Sequence, residues 1–240
     1  MGIRVVSLVP SVTETLLAWG IEPVACTRFC EQPDLLHVGG TKDPDVAAIV
    51  RLRPDLVVVD QEENRKQDAE ALAEAGLAVH VLAIRALDDV APAMVALAAA
   101  VGADPPLLDL PAGHEGEQLR AFVPIWRRPW MTLNADTYGS SLLGALGVTN
   151  VFAGHPERYP RIELADAIAL APDVVLAPSE PYPFKARHQA ELAEVAPVVF
   201  VDGQDLFWWG ARTPDALARF RGLCLTPGGG RRPLRGGRAG

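Results

Sequence analysis

Sulfur and aromatic rings are scarce in this sequence: 240 residues hold three cysteines, three methionines and only 6% Phe, Trp and Tyr. Three cysteines (Cys26, Cys30, Cys224) cannot close a disulfide framework, which excludes a small stapled scaffold and makes a reducing compartment the easier reading. No apolar run approaches the roughly 20 residues of a spanning helix, so membrane insertion is not expected. A signal-peptide pattern is also missing, since Met1-Gly2-Ile3-Arg4 leads straight into Val5-Val6-Ser7-Leu8-Val9. The expected location is therefore cytoplasmic, with periplasmic or extracellular as the alternative if a signal peptide has been removed. Basic charge is short too. The net charge is −8, which argues against nucleic acid as a partner. Only the end departs from this: no acid follows Asp215, while six arginines do.

Catalytic patterns are equally thin. Gly39-Gly40-Thr41-Lys42 lacks the spacing of a phosphate-binding loop, and an ordinary turn explains it. Cys26 and Cys30 have no second pair with which to complete a zinc quartet. The histidines His37, His80, His114, His155 and His188 form no His-x-x-x-His pattern, and Ser140-Ser141 sit within a helical pattern rather than at a nucleophile elbow. No catalytic residue and no metal ligand is assigned.

What is present is a repeat. Leu52, Pro54, Asp55, Val57 and Glu62 recur 118 positions later as Leu170, Pro172, Asp173, Val175 and Glu180. The spacing then slips to 120, matching Leu72, Ala73, Glu74, Val79 and Val81 with Leu192, Ala193, Glu194, Val199 and Val201. Two copies imply two similar lobes rather than a solenoid. Strands are expected at 3–9, 23–27, 56–60, 78–84, 121–126, 131–134, 174–177 and 198–201. Helices are expected at 13–19, with Ser11 and Glu14 as a capping box, then at 46–51 behind Asp43 or Asp45, 66–75, 138–146 behind Asp136, and 214–221. This alternation with short loops implies parallel sheets covered by helices. Residues 87–101 read as a longer Ala-rich helix behind Asp88 or Asp89, about 22 Å long at 1.5 Å per residue. A breaker zone at 102–116 follows it. The expected division is 1–84 as a first α/β lobe, 85–117 as connecting helix and linker, 118–222 as a second lobe, and 223–240 as a disordered Gly/Arg-rich tail.

The few aromatic residues gather at informative places. Trp126 and Trp130 flank the loop after the second lobe's first strand, Tyr182 and Phe184 follow the strand 174–177, and Trp208-Trp209 lie in an expected loop at 204–209. In open α/β sheets ligands bind outside the carboxyl ends of the strands. Wide rings there suit a flat, partly apolar ligand, while packing between elements is the plainer use of each ring.

Taken in order, Val9-Pro10-Ser11 with Thr13-Glu14-Thr15-Leu16, Gly39-Gly40-Thr41-Lys42, Glu62-Glu63-Asn64, Val123-Pro124-Ile125-Trp126, Asp136-Thr137-Tyr138, Ser179-Glu180-Pro181-Tyr182-Pro183-Phe184 and Leu206-Phe207-Trp208 resemble the helical-backbone class of periplasmic-binding-protein-like receptors, in its cobalamin- and metal-chelate-binding branch. The resemblance implies a class III fold: two Rossmann-like lobes with parallel sheets, joined by a rigid helix, with a ligand clamped between them. It implies non-catalytic binding of a corrinoid or other metal chelate, with no obligatory cofactor. The ligand-binding residues it suggests are Pro10, Ser11, Thr13, Phe29, Glu62 and Glu63 from the first lobe. From the second they are Trp126, Trp130, Tyr182, Phe184 and Trp208. An ABC permease is the partner of transport-coupled members, which carry a docking acid on each lobe; two residues beyond Asn64, where such an acid is expected, stands Lys66. The rival reading is a two-lobed transferase-like enzyme using Glu62 and Glu180.

Overall fold

The computed structural model describes residues 2–104, 107–111, 113 and 118–223. Val5–Ser7 (β1) is buried throughout, as a strand covered on both faces must be. Pro10–Ala18 (α1) follows at once and begins at proline, whose fixed φ and missing N–H suit the first helical position. The expected Ser11–Glu14 capping box is thereby corrected: both residues lie inside the helix, and no side chain caps it. Ala25–Cys26 (β2) precedes Val46–Leu52 (α2), where Asp45 is the cap and its Oδ1 accepts from Ala48 N at 2.8 Å. Leu56–Asp60 (β3), Lys66–Glu74 (α3) and Val79–Leu82 (β4) continue the alternation. The four strands form one parallel sheet in the order β2-β1-β3-β4, with Val6 opposite Val57 and Val58 opposite His80. Residues 87–101 are not one helix. A 3-10 turn, Leu87–Asp89, leads into Val90–Val101 (α4), because Asp89 turns its carboxylate back onto the amides of Arg85 and Ala86. Gly102, at φ +69°, ends α4.

The second series is Leu119–Phe122 (β5), Trp130–Met131 (β6), Tyr138–Gly144 (α5), Val148–Asn150 (β7), Arg161–Ile162 (β8), Leu164–Ala169 (α6), Val174–Pro178 (β9), Gln189–Leu192 (α7), Val198–Val201 (β10), Gly203–Phe207 (α8) and Thr213–Gly222 (α9). Its parallel sheet runs β10-β9-β5-β7, the same order as the first when each strand is matched to its equivalent; β6 and β8 make a small antiparallel pair. Strands β3 and β9 therefore belong to separate sheets. Thr137, not Asp136, caps α5, its Oγ1 accepting from Ser140 N. The expected aromatic loop at 204–209 is a helix as far as Phe207. Its start is held by Asp202 and Ser179, which accept from Gln204 N and Gly203 N at 2.9 Å each. Gly203 is required there, because a Cβ would lie 2.5 Å from Glu180 N. Of the expected disordered tail at 223–240, all but Leu223 lies outside the described residues.

The chain divides into two compact units, Met1–Leu110 with Trp208–Pro214, and Pro111–Phe207 with the residues from Asp215 on. In the first, Val6, Leu8, Ile49, Val57, Val59 and Leu72 form the core; in the second, Phe122, Trp130, Phe152, Val175, Phe184 and Leu192 do. The returning segment is tied into the first unit by Arg212, which grips Glu14 with two bonds of 2.7 Å, and by Ala211 N, which donates to Thr15 Oγ1 at 3.1 Å.

The repeat is visible as a shared clamp. Asp55 Oδ2 accepts from Arg4 N at 2.8 Å, Asp55 N donates to Arg4 O at 2.8 Å, and the Arg4 guanidinium donates to Leu52 O. In the second unit Asp173 and Arg120 make the same reciprocal bonds, both at 2.8 Å, and Arg120 reaches Leu170 O. Arg53 and Ala171, at the helix ends of the two copies, share a left-handed φ of +46°.

Candidate functional site

Parallel strands bring their following loops to one edge of each sheet, and the carboxyl edge is where open α/β sheets bind ligands. In the first unit that edge carries Pro10–Thr13 after β1, the turn 27–30 after β2, residues 61–64 after β3 and Ile84 after β4. Asn64 fastens three stretches of backbone beside this edge. Its Nδ2 donates to Leu8 O at 3.1 Å and Thr41 O at 3.0 Å, and its Oδ1 accepts from Asp60 N at 2.8 Å. Asp60 is 2% exposed and Oδ1 accepts from the amides of Glu62 and Glu63, whereas Oδ2 has no hydrogen-bond partner among the described residues. Burial pushes the Asp60 carboxyl above its usual range. Glu63 keeps a solvent-exposed surface but is also shifted up, by desolvation first and the neighbouring Asp60 second. Lys42 donates through Nζ to Glu62 O, so the two motifs meet.

The side chains of Ser11 and Thr13 are buried. Thr13 Oγ1 lies 2.8 Å from Ser7 Oγ and 3.2 Å from Cys30 Sγ, and Thr15 Oγ1 donates to Ser11 O. Pro10, Ser11 and Thr13 thus bring backbone rather than side chains to the edge. Phe29 is the open ring of this unit, 51% exposed, with the Arg28 guanidinium 4.9 Å from its centroid. Arg28 is held in turn by Asp43 through bonds of 2.9 and 3.0 Å. Trp208 lies in this unit rather than the second, where it was expected, and the Arg212 guanidinium stands 5.2 Å from its ring.

In the second unit the expected rings do come together. Trp126 and Tyr182 meet edge to face at 5.6 Å, Tyr182 and Phe184 lie 4.8 Å apart, and Trp130 stacks on Phe184 at 6.0 Å with planes 4° apart. The four have different roles, however. Trp130 and Phe184 are 8% and 4% exposed and belong to the core, so their faces are used on each other and on neighbouring apolar groups. Their assignment as ligand contacts is corrected on that ground. Trp126 is 44% exposed and Tyr182 half-buried, which leaves these two rings available. Arg127, between Trp126 and the β6 strand, pairs with Glu191 at 2.8 Å.

Asn64 and Asp60 were missed as organisers of the edge. The signal was in the sequence, as a polar residue closing the apolar run Leu56–Val59 and a second polar residue four positions on. Among the described residues no three His, Cys, Asp or Glu side chains group as a metal site, and no helix is long and apolar enough to cross a membrane.

Two covered parallel sheets of the same strand order, each with a loop-built carboxyl edge, define a two-lobed binding-protein fold of class III. Residues 5–105 match the profile of the periplasmic binding protein family. The chain is 24% identical to the vitamin B12-binding protein of Pectobacterium carotovorum, over 94% of this chain and 90% of that protein. Among solved structures it is similar to the periplasmic vitamin B12 binding protein BtuF of Vibrio cholerae, with a TM-score of 0.72 and 20% identity, covering 92% of this chain and 96% of that one. It is also similar to a periplasmic heme binding protein from Pseudomonas aeruginosa, with a TM-score of 0.74 and 18% identity, covering 92% of both. These findings support the cobalamin and metal-chelate branch that the motifs resemble. They overturn the cytoplasmic location: the matched profile and the solved relatives are those of periplasmic binding proteins, and they point to the periplasm.

Proposed function

We propose that this chain is a non-catalytic receptor for a cobalamin-like corrinoid or another flat metal chelate. The observation that carries the reading is likeness over nine-tenths of the chain to proteins named for vitamin B12 and heme, whose profile is that of binding proteins rather than enzymes. The open rings support it: Trp126 with Tyr182 on one lobe and Phe29 on the other stand at carboxyl strand edges, where a macrocycle would find stacking faces. The amides at the start of α1 suit its carboxylate or amide arms. The metal of such a ligand arrives held by its own macrocycle. An ABC permease is the proposed partner, as for other substrate-binding proteins of this fold.

The test is titration of the purified chain with cyanocobalamin, hemin and an iron chelate, followed by tryptophan fluorescence and visible absorption. Micromolar or tighter binding of one is expected. Trp126→Ala should weaken it about tenfold or more, since an open aromatic anchor is worth roughly 1.5–2 kcal/mol. Trp130→Ala should instead lower stability, because that ring is core. No response from any of the three with folded protein would remove the ligand assignment and leave the fold standing.

A further inference from the structure

Two buried thiols are left unexplained by ligand binding. Cys26 ends β2 and Cys30 closes the turn that follows, with Cys30 N donating to Thr27 O at 3.1 Å; the thiols are 0% and 2% exposed. Cys26 and Cys30 thus stand at either end of one tight turn, four residues apart. Around Cys30 the polar groups are arranged as donors. Thr27 Oγ1 lies 3.2 Å from Cys30 Sγ and accepts from Phe29 N, so its own proton is free to point at the sulfur. Thr13 Oγ1, also 3.2 Å away, donates toward the sulfur, sharing its proton with Ser7 Oγ and Val9 O. Such surroundings favour a thiolate at Cys30 and a thiol at Cys26. The shifts agree in direction: the Cys26 thiol first, then the Thr13 and Thr27 hydroxyls, bring Cys30 down to about 6 against burial, and Cys26 is driven up.

We propose that Cys26 and Cys30 form a redox-modifiable pair, in which a small hydroperoxide oxidises Cys30 and Cys26 closes the product to a disulfide. The Cys30 thiolate attacks the peroxide oxygen, breaking the O–O bond, giving the sulfenic acid and releasing hydroxide, or alkoxide from an organic peroxide. The Cys26 sulfur then attacks Cys30 Sγ as its own proton leaves with the departing hydroxyl, forming the S–S bond and one water. Two thiols lose two electrons and the peroxide gains them. Burial selects the oxidant. With both sulfurs under cover, and Arg28, Phe29 and Glu31 forming the exposed skin of the turn, the oxidant has to be small, and a protein disulfide is too bulky to meet Cys30.

The experiment uses the full chain with Cys224→Ser, so that only the pair reports. Protein is treated with hydrogen peroxide, unfolded in excess alkylating agent without reductant, and its intact mass and peptides are measured. Both thiols are expected to disappear together and return with reductant. Adding Cys26→Ser should stop the reaction at a dimedone-reactive sulfenic acid on Cys30, and adding Cys30→Ser should leave Cys26 alkylatable. Thr27→Val keeps both sulfurs and should slow oxidation by roughly threefold or more, through loss of one thiolate donor. Circular dichroism of each variant checks folding. If folded protein keeps both thiols alkylatable after peroxide, or if Cys26 is oxidised as fast without Cys30, the proposal fails. Neither result decides the ligand titration, which reads tryptophan fluorescence and visible absorption rather than thiol mass.

Discussion

Asn64 commits three bonds to backbone atoms, two donated and one accepted, and it is only 6% exposed. Truncation would strand Leu8 O, Thr41 O and Asp60 N with little access to water. Because an unsatisfied buried group costs about 1–3 kcal/mol, Asn64→Ala should destabilise the protein by about 3 kcal/mol in urea unfolding. A loss under 1 kcal/mol would mean that water or neighbours replace the side chain. His80 carries the other residue-scale prediction. Its Nε2 is buried without a hydrogen-bond partner among the described residues, and desolvation holds the imidazole below its usual 6.5. The folded state therefore binds this proton less readily than the unfolded one. His80 contributes no penalty above pH 6.5, and stability is lost as the pH falls from there toward its depressed folded value. Asp60 and Glu63, shifted the other way, add stability as pH falls toward the ordinary carboxylate range, so wild type alone would mix the effects. His80→Gln isolates its share: the fall in stability between about pH 7 and 5.5 should become shallower than in wild type. An unchanged slope would show that His80 titrates as it does in the unfolded chain.

At the scale of elements, the repeat is a device as well as a pattern. A helix ends in a left-handed residue, proline redirects the chain, and the next aspartate ties the start of the strand to the neighbouring strand's arginine. Asp55→Ala and Asp173→Ala each remove a charge-assisted bond to a backbone N–H and should each cost about 1–2 kcal/mol. The damage should be local: hydrogen exchange should quicken in β1 and β3 for the first variant and in β5 and β9 for the second. Equal loosening of both sheets by either variant would contradict the separate cores. Much of this level was legible. The segments expected at 56–60 and 198–201 match β3 and β10, because an all-apolar run bounded by turns has few other uses. The helix α6 was overlooked although the repeat marks it: adding 118 to α2 leads to Leu164. The start of α1 and the whole of α8 were not legible. One turns on proline outranking serine at a helix start, the other on Ser179 and Asp202 capping a helix that local propensity does not favour.

For the whole molecule, the fold class followed from two copies of one strand–helix alternation, and the location did not follow at all. Cysteine count and the first residues suggested the cytoplasm, but compartment is an address rather than a consequence of packing, and the comparisons overturned it. The site was half legible. Composition singled out the rare rings and strand order placed them at the carboxyl edge, but exposure alone separates Trp126 and Tyr182 from Trp130 and Phe184. The remaining choice is between receptor and enzyme, and the two differ in what they return. A receptor stabilised by cyanocobalamin should gain about 2.7 kcal/mol at a hundredfold excess over Kd, and the corrinoid released on unfolding should have its original absorption spectrum. Glu62→Gln should leave that recovery unchanged, because a carboxylate that only lines a binding edge has no bond to make or break. Altered corrinoid from wild type, and intact corrinoid from Glu62→Gln at equal affinity, would instead make Glu62 a reacting group and the chain an enzyme.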